Sequence, residues 1–89
     1  MTVQDPFLSV RHFVAVARTG SFTAAALGLG LTGSALSKSI VRLEARLGVK
    51  LLHRTTRRVS LTLEGEAYLA SCLQAIQVLE ETEQSFASG

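Results

Sequence analysis

Tryptophan is absent, proline and cysteine occur once each, and no apolar run is long enough to cross a bilayer. The single cysteine, Cys72, excludes an intramolecular disulfide and fits a reducing cytoplasm. It reads as a small buried or interface residue rather than a catalytic thiol. The two histidines, His12 and His53, do not cluster with Cys72 or with paired carboxylates at ligand spacing, so no metal site and no cofactor are expected. The N-terminus has no basic region leading into an apolar segment, and no secretory leader is expected. Glycine and proline are too scarce for a disordered chain, while 47% apolar residues in 89 suffice for the core of one small domain.

Positive charge is missing from the C-terminal part. All nine Lys and Arg lie between Arg11 and Arg58, opposed before Leu63 only by Asp5 and Glu44, a surplus of seven. From Leu63 onward there are five glutamates and no cation. The net charge of +2 thus hides a basic head, suited to a polyanion, and an acidic tail with another task.

Asp5-Pro6 opens a first helix, with Asp as cap and Pro at its first position. Val10, Phe13, Val14 and Ala17 form its apolar stripe, and Thr19-Gly20 ends it. Ser21 caps a second helix through Phe22, Ala24, Ala25, Ala26 and Leu27. The following Gly28-Leu29-Gly30-Leu31-Thr32-Gly33 matches the dinucleotide-binding glycine pattern in letters only. No strand precedes it, and no acidic residue stands about 20 positions beyond it. It reads as a tight turn bending at Gly30, with Leu29 and Leu31 inward.

Thr32 caps the central helix, which runs to Leu47 and is ended by Gly48. Its spacing turns Ala35, Leu36, Ile40, Leu43 and Leu47 toward a core. Ser34, Ser37, Lys38, Val41, Arg42 and Arg46 fall on the other flanks. Small hydroxyls and long cations on one face suit a groove, its base edges and its phosphates. Helix, glycine turn, helix is the helix-turn-helix arrangement, with the second helix as reader. Leu51–Arg54 and Val59–Leu61 read as short strands, joined by Thr55-Thr56-Arg57-Arg58 into an arginine-tipped wing. The head is therefore expected to hold three helices plus a short β-hairpin wing.

Thr62 caps a last helix running to about Phe86, with Glu64 and Glu66 in its positive first turn. At 1.5 Å per residue it spans roughly 35 Å. Leu69, Cys72, Leu73, Ile76, Leu79 and the Ala67/Tyr68 pair form its stripe. Beyond the head this stripe wants a partner helix, most simply that of a second copy. Glutamates on the polar face argue against a membrane surface.

Arg11–Ala17, Thr19–Ala26, Leu29–Thr32, Ser34–Lys38, Ile40, Arg42–Glu44, Arg46–Val49, Leu51-Leu52, Arg54–Arg58 and Leu61-Thr62 together resemble the N-terminal DNA-binding region of LysR-type transcriptional regulators. The resemblance covers nearly the whole chain in unbroken order. It implies a mainly α protein: a winged helix-turn-helix over residues 1–62, then a linker helix over 63–89 that dimerises with its counterpart. It implies a bacterial, cytoplasmic, nucleoid-associated regulator that is not an enzyme. The expected function is sequence-specific binding of double-stranded DNA, as a homodimer reading an imperfect inverted repeat.

Members normally continue into a larger domain that binds a small-molecule effector. Carried over by position, Thr32, Gly33, Ser34, Ser37 and Lys38 read the major groove, and Arg42 meets the backbone. Arg54 and Thr55 approach phosphates, and Arg57 enters the minor groove. Leu43 and Glu44 are structural. Many members carry Gln where Gly33 stands, and Leu27-Gly28 replaces their charged pair. The competing expectation is a protein-interaction module with only non-specific DNA affinity.

Overall fold

The structure is a computed structural model and describes residues 6–55 and 58–88. In chain order come α1 (Pro6–Thr19), α2 (Phe22–Leu29), α3 (Gly33–Leu47), β1 (Leu52–Arg54), β2 (Val59–Leu61) and α4 (Leu63–Ser88). Local chemistry sets most of these boundaries. Ser21 Oγ accepts from the Ala24 amide at 3.1 Å, and Thr32 Oγ1 accepts from the Ala35 amide at 3.0 Å. Each satisfies an amide that its helix leaves without an internal acceptor. At the end of α2, Gly30 takes φ 68°; its amide donates to Leu27 O, and that of Leu31 donates to Ala26 O at 2.9 Å. This paired closure needs a left-handed residue, which glycine supplies without steric cost. The Asp5 cap expected for α1 lies outside the described residues.

The turn at Gly30 bends α2 and α3 through 103° relative to one another. Leu29 and Leu31 sit half-buried on either side of it. The wing is a two-stranded antiparallel hairpin pairing Leu52 with Leu61, His53 with Ser60 and Arg54 with Val59.

Phe13, Val16, Leu36, Ile40, Leu43 and Leu51 form the fully buried centre. α1 packs on α2, α3, α4 and β2, so its buried arc is broad. That arc runs from His12 past Val16 and Phe13 to Val14, and it takes in Val16 and His12, which a narrow amphipathic stripe omits. Ala35 corrects an expectation: it is exposed. At 100° per residue it lies one step behind Leu36, outside the arc that Leu36, Ile40 and Leu43 share.

α4 has two parts. Near its start, Tyr68 tilts against Phe13 with ring centroids 5.5 Å apart. Leu69, Leu73 and Ile76 lean half-buried on the head, and Cys72 is buried in the head's own core. Four of the five residues expected to face a second copy therefore already have partners within one chain. Leu79 and Phe86 lie on the same helical face as Cys72 but beyond the head, 60% and 78% exposed. Among the described residues no single helix is long and apolar enough to cross a membrane.

Candidate nucleic-acid interface

The outer face of α3 carries the side chains that the helical spacing puts there. Ser34, Ser37, Lys38, Val41 and Arg42 line one shallow depression of about 380 Å³. Thr32, Gly33, Ser34, Lys38 and Arg42 are exposed, and Ser37 is half-buried. No carboxylate of the described residues lies within ion-pair distance of Lys38 or Arg42. The face therefore offers hydroxyl donors and acceptors at its N-terminal end and free cations further along. Val41, 50% exposed between them, was not among the residues assigned to base reading. Its position one turn beyond Ser37 and Lys38 is what the sequence offers to find it. An apolar side chain there suits a thymine methyl.

The other side of α3 holds the reader in place. His12 Nδ1 lies 2.6 Å from Ser39 Oγ, tying α1 to α3, and burial lowers the His12 pKa below its ordinary 6.5. The buried Glu44 accepts from the Leu51 and Leu52 amides at 2.7 and 3.3 Å, with Lys50 Nζ 3.8 Å away. One carboxylate thus satisfies two amides where the chain leaves α3 for the wing, a structural part as the family resemblance implies.

The wing begins beside the reading face. Arg54, the last residue of β1, donates from Nη1 to Ser37 Oγ at 2.8 Å, and its guanidinium carbon lies 4.2 Å from the centre of the Phe22 ring. Thr55 closes the loop: its amide donates to Arg58 O at 2.9 Å, and its hydroxyl accepts from the Arg58 amide at 3.0 Å. Arg58, opposite Thr55 where the loop closes, is exposed. Arg57, assigned to the minor groove, lies outside the described residues. Of the expected DNA-facing set, Thr32, Gly33, Ser34, Ser37, Lys38 and Arg42 share the α3 surface. Arg54 joins them through Ser37, and Thr55 stands next along the wing. The Arg54 pairing with Phe22 and Ser37 has no counterpart in local sequence spacing.

A glycine-turned helix pair bent near a right angle, with a reading helix and a basic hairpin beside it, defines a winged helix-turn-helix protein. The family model described as "Bacterial regulatory helix-turn-helix protein, lysR family" matches residues 7–66, and the chain belongs to that family. An HTH-type transcriptional repressor of Pseudomonas aeruginosa is 42% identical over 85 residues, which is 96% of this chain and 27% of the repressor. This chain thus spans about a quarter of that relative's length. Among solved structures, the CbnR DNA-binding domain in its DNA complex superposes with a TM-score of 0.82 at 32% identity, covering 92% of this chain and 95% of that one. The BenM DNA-binding domain complexed with benA site 1 DNA gives 0.84 at 30% identity, covering 96% and 98%.

Proposed function

We propose that this chain binds double-stranded DNA sequence-specifically as the DNA-binding part of a LysR-type transcriptional regulator. The observation that carries this reading is the free outer face of α3, on a helix pair bent through 103°. α3 enters the major groove with Thr32, Gly33, Ser34, Ser37 and Lys38 toward base edges and Arg42 toward the backbone. The wing lies along the flanking backbone, Arg54 and Thr55 near phosphates and Arg57 toward the minor groove. That similar solved domains are DNA complexes supports DNA binding by this fold.

Residues 1–62 do the reading, and residues 63–89 join two copies through α4. Leu79 and the exposed edges of Leu69, Leu73 and Ile76 form the seam, with Cys72 beneath it. Two-fold protein symmetry then requires an operator of two inverted half-sites. A small-molecule effector belongs to a further domain of the whole regulator, which works in the bacterial cytoplasm on the nucleoid.

Selection of duplexes from a random library by the purified chain, at near-physiological salt, tests this directly. The expected result is a dyad with two similar half-sites. Enrichment of one half-site alone would overturn the dimeric part. Salt-sensitive binding to every duplex without enrichment would overturn base reading, because phosphate contacts alone behave that way.

A further inference from the structure

Three elements meet at the Arg54 guanidinium: Phe22 opens α2, Ser37 sits on the reading face of α3, and Arg54 ends β1. The guanidinium lies over the ring at 4.2 Å and donates to Ser37 Oγ at 2.8 Å. We propose that Arg54 is a positioning residue for base discrimination, holding Ser37 so that its hydroxyl proton faces a hydrogen-bond acceptor on the DNA. This rests on the DNA-reading proposal and deepens it.

The chemistry follows from the donor and acceptor inventory. A serine hydroxyl has one proton and two lone pairs, and a guanidinium can only donate. With one lone pair held by Arg54, the proton is repelled from the cation and turns outward. The same positive charge disfavours an approaching base amino group and favours guanine O6 or N7, adenine N7 or thymine O4. The Phe22 ring keeps the guanidinium from swinging into solvent, since a cation is held over an aromatic face. Arg54 also ties the wing to both helices of the helix-turn-helix, so the wing and the reading face move as one body. The rival role for an exposed arginine is a plain phosphate contact, which weakens binding to all sequences alike when lost and lowers the salt slope by about one.

The test compares the full chain with its Ser37→Ala, Arg54→Lys and Phe22→Leu variants on the selected dyad and on random duplex, over a range of salt. Arg54→Lys keeps the charge but loses the planar fork that spans ring and hydroxyl. Phe22→Leu leaves every charge in place. The expected result is a loss of about fivefold to tenfold on the dyad for each variant, the worth of one well-placed hydrogen bond. The loss on random duplex is expected to be several-fold smaller than on the dyad, and preference relaxes at the same base position in all three. Combining Phe22→Leu with Ser37→Ala adds no further loss.

Equal losses on dyad and random duplex, or an undiminished preference in Arg54→Lys, would overturn the inference and leave the DNA-reading proposal standing. A wild-type chain that selects no sequence would overturn both. Arg54 is exposed, so Arg54→Lys leaves every core side chain in place and its result stands even where Phe22→Leu unfolds the head.

Discussion

Gly65 shows how a single residue position can be decided by space alone. Thr62 donates its amide to Leu51 O and its hydroxyl to Lys50 O, and accepts from the Gly65 amide at 2.9 Å. These bonds draw the first turn of α4 onto the chain leaving α3, so a β-carbon at residue 65 would overlap the Leu51 carbonyl. Gly65→Ala is expected to destabilise the head by about 1–3 kcal/mol or more, as overpacking does. Gly28 lies inside α2 with open space around it. Gly28→Ala is expected to stabilise by about 0.4–1 kcal/mol. Thermal unfolding of the two variants should move in opposite directions.

His12 adds a pH dependence. Burial depresses its pKa below 6.5, so the folded state favours the neutral ring and the unfolded chain takes up the proton first. This contribution is complete above about pH 6.5 and is lost as pH falls below it toward the depressed folded value. Melting temperatures at pH 7.5 and 5.5 should differ more for the wild type than for His12→Gln. At this scale the sequence announces caps but not neighbours: Ser21 and Thr32 act on amides three residues away, whereas the Ser39 partner of His12 is 27 residues distant.

Among the elements, α4 changes character along its length. The face that is buried at Cys72 emerges at Leu79 and Phe86 once the head ends. Leu79→Glu is expected to leave the head folded and shift sedimentation from dimer to monomer, because a charge in the proposed seam faces its own copy. Leu73→Glu should instead unfold the head, since Leu73 packs on its core. If Leu79→Glu still sedimented as a dimer, the seam would lie elsewhere. That the stripe outruns the head was legible in the sequence, but the place where it leaves the head, between Ile76 and Leu79, was not. A repeat of apolar residues records which face is dry, and the rest of the fold decides what dries it. The same holds for α1, whose broad burial comes from being packed between other elements rather than from a wider stripe.

For the molecule as a whole, charge and shape run together. Its longest dimension is 49 Å, with the basic head toward one end of α4 and Glu80, Glu81 and Glu83 toward the other. In the proposed DNA complex, phosphate would attract the head and repel the glutamates, so the charge pattern would orient the chain before any base is read.

The sequence by itself determined where most helices begin and end, the bend at Gly30, the two faces of α3 and the separation of charge. Each depends on residues within about one helical turn or on composition, and such interactions form wherever the chain goes. Only the tertiary structure decided that Ala35 faces out, that Val16 and His12 face in, that Cys72 belongs to the head and that Gly65 has no room for a side chain. It also decided that Arg54 joins Phe22 to Ser37. These depend on which distant segments the compact chain brings into contact, and that is set by packing of the whole core rather than by any local pattern.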